Sequence, residues 1–250
     1  MKIDPGDRDV YRSGIAANDL VRSRVVVKET DLLVLAERDI SDLVRDIVLT
    51  QRDRLERYIA RNPLFRETLL PIPVSNTAPG IVKSMALAGQ ASGVGPMAAV
   101  AGAVCEAVAG GVGDGVRELI LENGGDVYVA STRERIIGIF VGQEMRGGTV
   151  GLRLAPDRTP IGICTSSGRI GHSLSFGDSA AATVLARSCA LADAAATAVG
   201  NRVRGRYGIR EGLAAARDIP GVLGAVVMRD GQLGAWGDVD IVGLQDPARS

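Results

Sequence analysis

Hydrophobic positions change period several times along the chain, and each change marks an element. Residues 24–29 (RVVVKE) and 31–37 (DLLVLAE) are short Val- and Leu-rich runs divided by Thr30, and they predict two strands. From Ser41 the period becomes helical: Leu43, Ile47, Leu55 and Ile59 recur on one face, Arg and Asp fill the other, and Pro63 ends the helix. Pro63, Pro71, Pro73 and Pro79 make residues 62–79 an irregular connector. Small residues then run from Ser92 to Gly110, predicting a buried helix whose first turn holds Pro96 and which continues through Glu106.

Five β-type runs follow at 117–121, 126–131, 135–141, 149–154 and 161–165, divided by glycine-containing turns such as ENGGD, which predicts a meander of four or five strands. Residues 181–186 (AATVLA) predict another strand, 188–200 a helix with Ser188 as N-cap and Gly200 just past its end, and 208–217 a further short helix. The tail carries an Arg-Asp-Gly-Gln turn between two apolar runs, which reads as a closing hairpin. Helices and strands are partly segregated, so the pattern predicts an α+β fold: an antiparallel or mixed sheet packed with Ala/Gly-rich helices. The chain reads as a single domain over 1–250, with an N-terminal β-β-α part (1–70), the connector (62–79) and a core (80–250).

Composition sharpens this picture. In 250 residues, Lys+Arg and Asp+Glu both total 29, so avid nonspecific binding to nucleic acid is not expected. The N-terminal residues MKIDPGDRDV offer no apolar run of the roughly 7–15 residues that a signal peptide needs, and polar residues and Pro96 interrupt the apolar stretch 84–112. A cytoplasmic protein without a membrane span is therefore expected. Cys105, Cys164 and Cys189 stand far apart in sequence and read as buried small hydrophobes of a reducing compartment. His172 is the single histidine, so a three-histidine zinc site is impossible.

Three segments carry candidate chemistry. In ATVLARSCALADAAATAVGN (182–201) a strand runs into a helix on which Asp193 and Thr197, four residues apart, share one face ringed by alanine. A carboxylate and a hydroxyl so spaced can give two oxygens to a hard cation such as Mg²⁺. Alternatively, Asp193 serves a helix N-terminus while Thr197 bonds back to the carbonyl four residues earlier. In TSSGRIGHS (165–173), Thr165, Ser166, Ser167 and Gly168 offer hydroxyls and N–H groups to an anion, and His172 is a candidate general base. Alternatively, the segment is a polar surface turn with an incidental histidine, the reading that the local pattern alone favours. In ENGGD, Asn123, Gly124, Gly125 and Asp126 allow either a ligand-contacting turn or an ordinary hairpin.

In this order and spacing the segments resemble the ApbE-like family, the Mg²⁺-dependent FAD:protein FMN transferases. Ala192, Asp193, Ala194, Ala195, Ala196 and Thr197 match its alanine-aspartate…threonine helix, Glu122 to Asp126 echo its glycine-glycine-aspartate turn, and Thr165 to Gly168 echo its threonine-serine-glycine loop. The resemblance implies Asp193 and Thr197 as metal ligands, a backbone carbonyl near Gly95 as a third, His172 as the catalytic base, and FAD as the ligand of the turn and loop. It implies an acceptor protein as partner, and it leaves a homo-oligomer open. The family's lysine at the start of the glycine-rich helix is replaced here by Pro96 and Met97, and its aspartate and proline after the histidine are lost. Those departures keep two further readings: the same fold acting on another phosphorylated or carboxylated small molecule, and a noncatalytic assembly subunit.

Overall fold

The computed structural model describes Arg12, Ile15 and residues 17–139, 149–166 and 181–244. Strands β1 (Val21–Val27) and β2 (Thr30–Ala36) form the first hairpin. Helices α1 (Ser41–Arg61), the single turn α2 (Leu64–Glu67) and α3 (Gly80–Ser92) follow, and a 3₁₀ turn at Pro96–Ala99 leads into α4 (Val100–Val112). Next come β3 (Leu119–Asn123), β4 (Asp126–Ala130), β5 (Arg135–Ile139), β6 (Thr149–Leu154), β7 (Ile161–Ser166) and β8 (Ala181–Ala186). The chain closes with α5 (Cys189–Arg202), α6 (Gly208–Asp218), β9 (Val222–Arg229), β10 (Gln232–Gly237) and β11 (Ile241–Leu244).

Among the described residues the strands form two sheets, and every pairing is antiparallel. Eight strands lie in the order β1-β2-β3-β4-β7-β8-β9-β10, and three in the order β11-β6-β5. The protein is therefore α+β, as its sequence pattern predicts. Alternation along the strands divides the core in two. Leu32, Val34, Ala36, Leu121, Val184 and Val227 pack with the helices, while Leu33, Leu35, Ile120, Ile163, Leu185 and Val226 pack with the small sheet. With both faces covered, all seven residues of β2 are buried, each large aliphatic contributing about 1.5–3 kcal/mol.

Several elements differ from expectation. The strands after α4 are not one meander: β5 and β6 leave the large sheet and pair with each other, and β11, which crosses from the tail hairpin, pairs with β6. That hairpin, β9–β10, forms as predicted, with Asp230 and Gly231 at φ 49 and 72. Helix α3 has no counterpart in the sequence reading; it is apolar on most sides and its Met85 and Val82 are fully buried, so no amphipathic period announces it. Gly200 lies inside α5, which runs on to Arg202, because its backbone is already packed in the core and needs no terminating turn. No single described helix is long and apolar enough to cross a membrane; α3 and the segment Pro96–Val112 reach that test only together, across a 107° bend.

Candidate functional site

The site is built where α5 crosses the large sheet and meets α4. Ser188 caps α5: its Oγ accepts from the Leu191 N–H at 3.2 Å. The same hydroxyl donates to Glu106 Oε2 at 2.7 Å, and the Ala190 N–H reaches that oxygen at 3.2 Å. Glu106 on α4 thus supplies negative charge at the positive end of α5. Glycines set the approach distances. A Cβ on Gly162 of β7 would lie 2.5 Å from Cys189 Cα, and one on Gly102 of α4 would lie 2.3 Å from the Cys189 carbonyl oxygen and 2.9 Å from Asp193 Cβ. Only a hydrogen fits at either position.

This contact places Asp193 over the first turn of α4, where the Val100 amide bonds back to the Met97 carbonyl of the preceding 3₁₀ turn and the Gly102 amide turns to Asp193. The Gly102 N–H donates to Asp193 Oδ2 at 2.9 Å. Burial pushes the Asp193 carboxyl up to about 8, even though the Gly102 and Ala101 amides oppose the shift. Asp193 therefore serves a helix N-terminus, as one sequence reading allowed, but that of another helix rather than its own. One turn further along α5, the Thr197 hydroxyl is buried and has no hydrogen-bond partner, so the expected bond back to a carbonyl is not made.

The ENGGD segment is a tight hairpin turn, with Gly124 and Gly125 at φ 69 and 103 and Asn123 paired with Asp126. Its side chains nevertheless reach the site. Asn123 Nδ2 donates to the Ala101 carbonyl at 3.2 Å. Asp126 is buried on the helix side of the sheet, and burial, followed by the negative field of Asp193, pushes its carboxyl well up. The Gly125 N–H donates to Glu122 Oε1 at 3.0 Å, and Glu122 is held by Arg12 at 2.8 Å.

Thr165 and Ser166 face opposite sides of the sheet. Thr165 Oγ1 lies 2.9 Å from Thr183 Oγ1, on the side away from α5. Ser166 follows Cys164 onto the helix side, where its hydroxyl is buried without a partner. Cys189 rests on Gly162, and α5 turns back from β8 to run alongside β7. Eight helical residues at about 1.5 Å and four strand residues at about 3.3 Å then bring Thr197 and Ser166 to a comparable level. Ser167, Gly168 and His172 lie outside the described residues. Gly95 is packed against Thr68, whose carbonyl oxygen would lie 2.0 Å from a Cβ there, and its own carbonyl accepts from the Ala98 N–H at 3.1 Å. The backbone that meets Asp193 is at Ala101 and Gly102.

Sequence spacing missed Gly102, Glu106 and the convergence of the cysteines. Cys189 precedes Asp193 by one turn on the same helix; its Sγ is 3.7 Å from Cys164 Sγ, and Cys105 contacts it from α4. All three are buried and free. Among the described residues no group of three or more His, Cys, Asp or Glu side chains is placed to hold a metal. A cation at Asp193 would thus draw on hydroxyl and main-chain oxygens.

Solved structures of similar architecture include flavin transferases. The Pseudomonas stutzeri flavinyl transferase ApbE in its apo form superposes with a TM-score of 0.59 at 15% identity, over 87% of this chain and 94% of that one. A variant of the Vibrio cholerae flavin transferase ApbE gives 0.57 at 14%, over 87% and 97%. The fold is thus the ApbE fold. A family model described as AbpE bacteria matches residues 12–227, and the chain belongs to that family. Its relatives include a UPF0280 protein of Methanocaldococcus jannaschii, 42% identical over 74% of this chain and 76% of that protein, and one of Methanosarcina barkeri, 36% identical over 90% of each.

Proposed function

We propose that the protein is a Mg²⁺-dependent flavin enzyme that cleaves the FAD pyrophosphate and passes FMN to a hydroxyl of an acceptor protein or to water. One observation carries this reading: Thr197 presents a buried hydroxyl with no partner, one turn beyond the buried carboxyl of Asp193, which meets the backbone amides of Gly102 and Ala101. Leaving such a hydroxyl unpaired costs on the order of 1–3 kcal/mol, which a ligand would recover. The donor set fits a hard cation: one carboxylate, one hydroxyl and main-chain oxygen.

Asp193 and Thr197, with a carbonyl of the Gly/Ala-rich segment that begins at Gly95, would hold the cation. When bound, Mg²⁺ neutralises charge on the pyrophosphate as the bond to AMP breaks. The Ser166 hydroxyl donates to a phosphate oxygen, and Asn123 keeps the first turn of α4 in place through Ala101. Asp126, buried on the helix side of the sheet with its carboxyl pushed well up by that burial, is the candidate proton donor for the departing phosphate oxygen. The resemblance assigns removal of the acceptor proton to His172, and Thr165, Ser167, Gly168, Gly124 and Gly125 to the flavin. Equilibrium titration with FAD, with and without Mg²⁺, tests the reading: tight quenching of flavin fluorescence only with Mg²⁺ supports it, and no quenching in either condition rejects it.

The replacement of the family lysine by Pro96 and Met97 favours a second reading, in which the same site takes another phosphorylated or carboxylated small molecule. A rise in melting temperature on adding Mg²⁺, without FAD binding, would select it.

A further inference from the structure

The large sheet ends in two unlike edges. Strand β1 (VRSRVVV) carries Arg22 and Arg24, the kind of charge that keeps an edge from pairing with other chains. Strand β10 (QLGAWG) is terminal in the sheet order, and has neither a charged residue nor a proline, although Leu233 is 40% exposed. Among the described residues no strand pairs with its outer edge.

Beside this edge, β10 and α6 enclose a groove of about 1360 Å³, larger than the roughly 300–1,000 Å³ of small-molecule sites. Ile209, Leu213 and Trp236 give it an apolar floor, while Arg206, Arg210 and Arg217 stand on its rim. Arg206 and Arg210 lie over the Tyr207 ring at 5.7 and 4.9 Å, and neither has a carboxylate partner among the described residues. Arg202 and Arg204 are exposed in the segment leading to α6. Glu211 and Asp230 are the acidic groups along the groove, so the charge stays positive in a chain that is neutral overall.

We propose that this groove binds an extended acidic segment of a partner protein, which adds to β10 as a further strand. Main-chain pairing at β10 supplies affinity, and the arginines select acidic side chains. Two copies of this chain pairing through β10 about a twofold axis would bring their arginine sets together, which opposes self-association. The inference is independent of the flavin reading.

The test uses the full chain and a fluorescein-labelled nine-residue peptide in which Glu alternates with Val and Thr. Fluorescence anisotropy should show saturable binding that weakens as salt rises, with β10 amides slowed in hydrogen exchange. Arg206→Glu combined with Arg210→Glu should weaken it about tenfold or more, and Leu233→Glu, which sets a like charge against the peptide, should weaken it with the fold unchanged by circular dichroism. The proposal is overturned by absence of saturable binding, by equal affinity for the Lys-substituted peptide, by tighter binding of a nine-nucleotide oligothymidylate, or by a dimer in sedimentation that Leu233→Glu dissolves.

Discussion

Glu106 caps a helix that is not its own: from α4, its Oε2 accepts the Ser188 hydroxyl at 2.7 Å at the start of α5. The carboxylate also takes the Ala190 N–H at 3.2 Å and the Ser84 hydroxyl at 3.2 Å, so three elements share one side chain.

Glu106→Ala should therefore destabilise the fold by about 2 kcal/mol, since a capping interaction is worth about 1 kcal/mol and a lost charged hydrogen bond somewhat more. Urea denaturation should show a lower midpoint with an unchanged slope, and Glu106→Gln should recover part of the loss. A midpoint equal to that of the parent would contradict the capping role.

Gly102→Ala should be worse tolerated than any other Gly→Ala change on α4, because its Cβ would lie 2.3 Å from the Cys189 carbonyl oxygen. Overpacking of this kind costs about 1–3 kcal/mol. Gly110, with nothing within 4 Å of its Cβ, is the internal comparison: Gly110→Ala should stabilise slightly through helix propensity. Melting temperatures of the two variants check the contrast.

Asp193 gives stability a defined pH dependence. Its carboxyl is raised from 3.8 to about 8, so between these values the native state binds a proton that the unfolded chain has lost. The native contribution then falls as pH rises from about 4 to about 8. Asp193→Asn keeps an oxygen for the Gly102 amide and removes the titration. In the absence of divalent cations it should become increasingly more stable than the parent across that interval. Parallel stability curves for the two proteins would refute the shift.

Thr197→Val separates packing from ligation. The hydroxyl has no protein partner, so its removal should leave stability unchanged or raise it by about 1 kcal/mol. The rise in melting temperature on adding Mg²⁺, expected of the parent, should disappear. A Mg²⁺ effect that survives would place the cation elsewhere.

Much of this fold was legible in the sequence because its signals are local. Strand β8 matches its predicted bounds, and α1 stops just before Pro63, since apolar runs and a proline act on neighbouring residues. Helix α3 is hidden because burial on most sides erases the amphipathic period, and the departure of β5 and β6 from the predicted meander does not show because strand partners are chosen by tertiary packing. The same limit applies to the site. The four-residue spacing of Asp193 and Thr197 shows in the sequence, but not that α4 would meet it at Ala101 and Gly102, or that Thr165 and Ser166, adjacent in a strand, would face opposite layers. Three cysteines separated by 59 and 25 residues converge for the same reason, each lying on an element that packs at Gly162 or Gly102.

A cation site formed by Asp193 and Thr197 in a flavin pyrophosphate enzyme is tested most directly by measuring AMP released from FAD by the full protein with Mg²⁺, with EDTA, and with Mg²⁺ in Asp193→Asn. AMP should form in the first case alone, with the Asp193→Asn protein folded; AMP released at the parent rate by Asp193→Asn, or none from the parent under any condition, would contradict that site.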